Sequence, residues 1–350
     1  MTRTDSMPAV LERARDLVGP SLRRAIERLS PELRPLATYH LGWSDADGRP
    51  CGGDGGKGVR PALSVLSAEA VGAAPVFGVP GGVAIELVHN FSLIHDDVID
   101  EDAERRHRPT IWSLFGIGRA VIAGDALVAL AQQVLLDPGV LALGEARLAD
   151  PPTAVAAARS IADATAAMIA GQALDMAFEA VPVVDVEGCL AMEAGKTGAL
   201  LSCAASIGAL LAGAPFGAIE ALSSFGMELG LAFQAVDDVL GIWGDPASTG
   251  KPAFSDLHQH KKTLPIAAAL AGGGPRAEEL AALVATPELS SAEVARAAEL
   301  VEACGGREVA ESEARRRLGA ALGALERAEL RPGPCEELCE VAAFVVERQH

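Results

Sequence analysis

What this 350-residue chain lacks narrows the field first. Its six cysteines (Cys51, Cys189, Cys203, Cys304, Cys335 and Cys339) show no framework spacing, which argues against a disulfide scaffold or a zinc set. Most lie among Ala, Leu and Gly, where a reduced thiol acts as a small apolar filler. Cys335 and Cys339 could share a helix face, but no second pair completes a metal set. Long unbroken apolar runs are missing too. The longest contain Gly, Asp or Glu, and none reaches the roughly 18–20 residues of a membrane-spanning helix. The first residues carry acids and no basic-then-apolar leader. A cytoplasmic protein with no integral membrane segment is the expectation. Positive charge is scarce: 29 Lys and Arg face 47 Asp and Glu, for a formal charge of −18. Nucleic acid, which needs a basic surface, is therefore not an expected partner. Fixed-period repeats and convincing period-two strands are also missing. No Ser or Cys sits at a recognisable spacing from a base and an orienting acid, so no nucleophilic mechanism is expected.

What is there is helix. Ala62, Leu63, Leu66 and Ala70 make one apolar face, and Val83, Leu87, Phe91 and Ile94 or His95 make another. Ser290 followed by Glu293 predicts a capping box before AEVARAAELVEACGG, which Gly305 and Gly306 would end. Gly- and Pro-rich breaks such as GAAPVFGVPGG and WGDPASTGKP divide the chain into roughly ten to thirteen helices. None resembles an interdomain linker, so residues 1–350 are expected to form a single all-α domain with core helices wrapped by others. GALLSCAASIGALLAGA (Gly198 to Ala214) is apolar nearly all round, which suits a bundle centre or a subunit interface.

The stretch SLIHDDVIDEDAERRHRP crowds acids against arginines. On a helix, Asp96 and Asp100 lie four apart and point to one side, with Asp97 beside them. Two carboxylates that close repel, and a hard divalent cation relieves the conflict. Oxygen donors without His or Cys favour magnesium. Standing alone, this cluster would equally suit a solvated helix end. It does not stand alone, because FQAVDD places Asp237 and Asp238 after a second apolar helical run. Magnesium bound by few carboxylates completes its shell with water and substrate phosphates. Basic groups that suit phosphate recur: Lys57 and Arg60; Arg105, Arg106 and Arg108; Lys196 next to Thr197; Lys251; Lys261 and Lys262. Any one of them alone would be read as surface charge. GGKG only mimics a P-loop, since Cys51 stands where its first glycine belongs and Gly58 where its Ser or Thr belongs.

GGKGVRP, LVHNFSLIHDDVID, ERRHRPT, GKTGALL, FQAVDDVLGIWGD and GKPAFSDLHQHKKTLP, in this order and spacing, resemble the trans-isoprenyl diphosphate synthases, or polyprenyl synthetases. The resemblance spans about residues 19 to 270 and is strongest to actinobacterial geranylgeranyl diphosphate synthases. It implies an all-α isoprenoid-synthase bundle around a deep central apolar pocket, usually in a homodimer. It implies head-to-tail condensation of isopentenyl diphosphate with an allylic diphosphate by ionisation, condensation and elimination. Asp96 and Asp100, with Asp237, would hold about three magnesium ions, with manganese as a substitute, and Asp97 and Asp238 would support them. Lys57, Arg60, His89 and Arg106 would hold isopentenyl diphosphate. Arg105, Lys196, Lys251 and Lys261 would hold the allylic diphosphate. Thr197 and Gln234 would contact the developing cation. Phe91 and Ser92, one turn before Asp96, would set product length, and an aromatic only at the Phe91 position implies geranylgeranyl diphosphate. A farnesyl or other short-chain product, a terpene cyclase and an inactive partner subunit are the rivals. Two departures stand out. Gly241 replaces an aspartate common in the second motif, for which Asp245 is expected to substitute in part, and Gly58 replaces a frequent arginine.

Overall fold

A computed structural model describes residues 7–52, 58–137, 150–245, 253–286 and 288–346. In chain order the helices are α1 (Ala9–Ile26), α2 (Arg34–His40), α3 (Val59–Ala70), α4 (Val79–Ile99), α5 (Ile111–Phe115) and α6 (Ile117–Leu136). They continue with α7 (Pro151–Glu179), α8 (Val186–Glu193), a π-helical turn (Ala194–Gly198), α9 (Ala199–Leu211) and α10 (Phe216–Trp243). The last are α11 (Ser255–His258), α12 (Leu264–Ala271), α13 (Gly274–Val284), α14 (Ser291–Ala303), α15 (Gly306–Leu325) and α16 (Pro332–Val346).

The apolar spacing produces the expected faces. Ala62, Leu63, Leu66 and Ala70 of α3 are fully buried, and Val83, Leu87, Phe91 and Ile94 of α4 are buried. Ser290 and Glu293 form the capping box of α14, and Gly305, in the left-handed region, follows its end. Gly306 instead opens α15. The one sheet among the described residues is a minimal hairpin, β1 (Glu104–Arg105) with β2 (Arg108–Pro109). Two residues per strand are too short to show an alternating pattern.

The chain divides into two compact units built from separated segments. Unit 1 comprises Met1–Asp163, Cys203–Ser223 and Leu325–Val341; unit 2 comprises Ala164–Ser202, Ser224–Ala324 and Ala342–His350. Within unit 1, α4 packs on α6 and α3, with α1 against α3 and α4. The part of the apolar segment 198–214 that belongs to this unit, from Cys203 on, is buried: Ile207 and Ala209 are fully buried, and a β-carbon on Gly81 would strike Ile207. Within unit 2, α12 packs against α8, α13 and α14 around Ile266, Leu280 and Leu300.

A looser measure than an unbroken apolar run adds to the reading of membrane-length segments. Four helical segments, Pro75–Ile99, Ile117–Leu136, Val186–Leu211 and Phe216–Trp243, are long and apolar enough to cross a membrane by length and composition. Isolated polar residues interrupt each one, so none is an unbroken apolar run. Burial inside the protein takes up 72% of the window of Pro75–Ile99 and 61% of that of Val186–Leu211, but 44% of those of Ile117–Leu136 and Phe216–Trp243. Three of the four carry the charged residues singled out above.

Candidate active site

In unit 1 the site grows from the end of α4. Asp96 and Asp97 lie in its last turn, and Asp100 is its C-cap, with its N–H on the Asp96 carbonyl at 2.8 Å. Glu101 adopts φ 56° and the Asp102 N–H reaches the Asp97 carbonyl at 3.0 Å, which is a Schellman stop built without glycine. The helix therefore ends where the acids begin, leaving Asp96 and Asp100 half-buried. Asp97 turns inward and is only 2% exposed. The Arg105 Nε donates to its Oδ1 at 2.6 Å. Burial pushes the Asp97 carboxyl up to about 6, against the opposing pull of Arg105.

The hairpin orders the arginines by job. Arg106 and His107 occupy its tip at φ 53° and 59°, as a two-residue primed turn requires. Arg108 donates to the carbonyls of Tyr39 and Ser44 and stacks 4.4 Å over the Tyr39 ring, so it fastens the hairpin to the body. The Arg60 Nη1 and the His89 Nε2 lie 3.3 Å apart. Burial, then Arg60 and Arg106, hold the His89 imidazole well below its ordinary range, so it is neutral. Glu86, whose carboxyl is raised by burial and drawn back by Arg60 and Arg106, accepts from the Asn90 amide at 3.0 Å. His40 bonds Asn90 and is driven to about 3 by burial and then by Arg105 and Arg106. Phe91 is buried and meets His95 edge-on at 4.7 Å; the Ser92 hydroxyl turns back to the His89 carbonyl at 2.8 Å. Lys57 lies outside the described residues. Gly58 sits at φ 69°, which explains a glycine there.

Unit 2 supplies a second group. Lys196 and Thr197 stand on the π-helical turn, a feature that recurs at functional sites. Glycine lets neighbouring backbones press on it: a β-carbon on Gly171 would strike the Lys196 backbone, and one on Gly230 would lie 2.7 Å from the Gly198 Cα. The Lys196 Nζ donates to Asp175 at 2.6 Å, and the Lys261 Nζ lies 3.7 Å from both Asp175 and Glu179. The Thr197 hydroxyl donates to the Gln234 Oε1 at 2.8 Å, and the Gln234 Nε2 donates to the Asp238 Oδ1 at 2.8 Å. The Leu264 N–H fills the other oxygen of Asp238 at 2.9 Å. Asp237 stays half-buried. Lys251 lies outside the described residues.

Asp245, the expected partial substitute for an aspartate at Gly241, lies beyond the end of its helix: α10 stops at Trp243, and Asp245 is exposed. The carboxylate of Asp256 instead occupies the space a β-carbon on Gly241 would need. His40, Glu86, Asn90, Asp175, Glu193 and Asp256 were not marked by sequence reasoning. Each acts through burial or a partner distant in sequence, and no local spacing announces that.

The donor chemistry sorts the metal candidates. Asp96, Asp100 and Asp237 offer oxygen only, which suits a hard divalent cation. The tight cluster of Cys189, Glu193 and Asp238 is fully buried and includes a thiol, and both Asp238 oxygens are already bonded. It does not suit magnesium.

A model of the polyprenyl synthetase family matches residues 51–301. A (2E,6E)-farnesyl diphosphate synthase of Mycobacterium tuberculosis is 47% identical over 344 residues, covering 97% of this chain and 93% of that protein. A geranylgeranyl diphosphate synthase of the same species is 46% identical over 318 residues, covering 91% and 88%. The crystal structure of a polyprenyl synthetase from Streptomyces coelicolor A3(2) is similar at a TM-score of 0.89 and 49% identity, covering 97% of this chain and 100% of that one.

Proposed function

The chain belongs to the polyprenyl synthetase family of trans-isoprenyl diphosphate synthases, and from that premise we propose that it condenses isopentenyl diphosphate with allylic diphosphates to make geranylgeranyl diphosphate. Prenyl transfer and the all-α isoprenoid-synthase fold come with membership.

The observation that carries the proposal is the Arg60–His89 pair beside Arg106. A terpene cyclase has one diphosphate to bind and no use for a second cationic group of this kind. Here Lys57, Arg60 and Arg106 bind the isopentenyl diphosphate, and neutral His89 adds a hydrogen bond without adding charge. Lys196, Lys251, Lys261 and Arg105 bind the allylic diphosphate. Asp175 holds Lys196 and Lys261 in place before substrate arrives. Asp96 and Asp100 of unit 1 and Asp237 of unit 2 are the residues that would hold magnesium, about three ions, with manganese as a substitute, and the metal would supply charge neutralisation for the departing allylic diphosphate. The allylic C–O bond breaks, the isopentenyl double bond attacks the resulting cation, and a proton leaves to the released diphosphate. Gln234 has a defined orientation for this step. The amide nitrogen donates to Asp238, and the carbonyl oxygen accepts from Thr197. Both acceptor oxygens can then stabilise the developing cation.

Small Ser92 and buried Phe91 support a geranylgeranyl product. The comparably similar farnesyl synthase makes farnesyl diphosphate the alternative. Ser92→Phe is expected to shorten the product and Phe91→Ala to lengthen it. On α6, Ile117 (58% exposed), Val121 and Ile122 (56% exposed) form an apolar patch, which supports a homodimer formed through this face. All six cysteines are free thiols, which supports a reducing, cytoplasmic location. The test supplies labelled isopentenyl diphosphate with each allylic starter, with and without chelator, and reads chain length after dephosphorylation. A cyclic hydrocarbon product, or no turnover by the chain alone, would overturn the proposal.

A further inference from the structure

Arg105 and Arg106 are neighbours on the hairpin but are held in different ways. Arg105 is tied to Asp97 at 2.6 Å. Arg106 is exposed and forms no ion pair among the described residues, so the backbone of the turn alone sets its place. That turn is strained. Arg106 and His107 take φ 53° and 59°, where Asn-Gly is the usual pair, and a β-carbon there crowds the following carbonyl. A turn of this kind persists only where its surroundings hold it.

The holding groups follow directly. The Arg108 Nη1 donates to the Tyr39 carbonyl at 3.2 Å and its Nη2 to the Ser44 carbonyl at 2.8 Å. The same guanidinium lies 4.4 Å over the Tyr39 ring. The Tyr39 hydroxyl donates in turn to the Pro109 carbonyl at 2.6 Å, and its ring meets Phe115 edge-on at 5.7 Å. Tyr39 and Ser44 are both buried, so these bonds run from the hairpin into the body of unit 1. At the base of the hairpin the Thr110 N–H reaches the Ala103 carbonyl and its hydroxyl the Asp102 carbonyl, each at 2.9 Å. The Arg108 guanidinium is thus committed to two carbonyls and an aromatic face, although it stands in a run of phosphate-type arginines.

Resting on the prenyl transfer reading above, we infer that Arg108 and Tyr39 are positioning residues: a latch that holds the strained Arg106–His107 turn and so presents Arg106 to isopentenyl diphosphate. Arg108 itself binds no phosphate. Arg105 keeps its own tie to Asp97, so losing the latch affects the isopentenyl diphosphate site more than the allylic one.

The experiment uses the full-length enzyme with magnesium. Arg108→Lys keeps the positive charge but loses the fork across two carbonyls and the flat stack on Tyr39. Tyr39→Phe keeps the stack and loses the bond to Pro109. Arg108→Lys is expected to raise KM for isopentenyl diphosphate about tenfold and Tyr39→Phe about threefold, with kcat and the allylic KM within about twofold of wild type. Adding His107→Gly to Arg108→Lys should recover part of the loss, because glycine takes a positive φ without strain. His107→Gly alone should leave the rates unchanged. A second readout needs no turnover: amide hydrogen exchange across residues 103–110 should be about tenfold faster in Arg108→Lys, with the rest of the chain unchanged. The inference falls if Arg108→Lys keeps its KM for isopentenyl diphosphate, as a simple phosphate ligand replaced by lysine would. It falls if kcat and both KM values shift together, or if exchange in the hairpin does not change. A wild type that makes no prenyl diphosphate would remove the functional reading and the kinetic role with it, and the exchange rates would still decide whether the latch holds the turn.

Discussion

The carboxylate of Asp256 lies where a β-carbon on Gly241 would go. Gly241→Asp should therefore be worse than a simple restoration of the more common residue. Two carboxylates would compete for one space, with a loss of roughly 1–3 kcal/mol in stability and a fall in turnover. The double change Gly241→Asp with Asp256→Gly should recover much of both, read by thermal melts and steady-state rates. Failure of the double variant to improve on the single one would separate the two positions. His40 gives a pH prediction with a fixed sign. Its folded-state pKa, near 3, lies below its ordinary value of 6.5, so the unfolded chain takes up the proton first as pH falls. The stability this group contributes is complete above pH 6.5 and is lost as pH drops toward 3. His89 shifts in the same direction. Wild type should lose up to about 1.4 kcal/mol per pH unit per histidine in that window, and His40→Gln should flatten the slope. Equal slopes in melts from pH 4.5 to 6.5 would contradict the assignment.

The π-helical turn at residues 194–198 depends on glycine in the helix beside it. Gly171→Ala would drive a methyl group into the Lys196 backbone, and about 1–3 kcal/mol of stability should go with it. Weaker binding of the allylic diphosphate should follow, because Lys196 moves with the turn. Ser290→Ala is the matched control: it should lose about 1 kcal/mol from the capping box of α14 and leave kinetics unchanged. The contrast also marks what was legible beforehand. Helix faces and the Ser290 box follow from spacing alone, since both signals are local. The π turn, the Glu101 stop of α4 and the hairpin with Arg106 at its tip were not legible. The stop and the hairpin depend on backbone conformations that Glu101, Arg106 and His107 rarely adopt, and the π turn on the close approach of Gly171. Asp175 and Tyr39 were hidden too: their roles come from burial against residues far along the chain.

Across the whole molecule, family and fold were readable because the motifs set residue types at fixed spacing. The mean apolarity of Pro75–Ile99, Ile117–Leu136, Val186–Leu211 and Phe216–Trp243 was less legible, because isolated polar residues interrupt each segment. Assembly is testable on α6: Ile122→Glu places a charge in the proposed dimer face and should shift the protein toward monomer in light scattering. An unchanged mass would move the interface elsewhere. The central claim is prenyl chain elongation by this chain alone. Purified full-length protein, given magnesium, isopentenyl diphosphate and farnesyl diphosphate, should yield geranylgeranyl diphosphate, and chelation or Asp96→Asn should abolish it. Farnesyl diphosphate recovered unchanged, or converted to a hydrocarbon without uptake of isopentenyl label, would contradict the account.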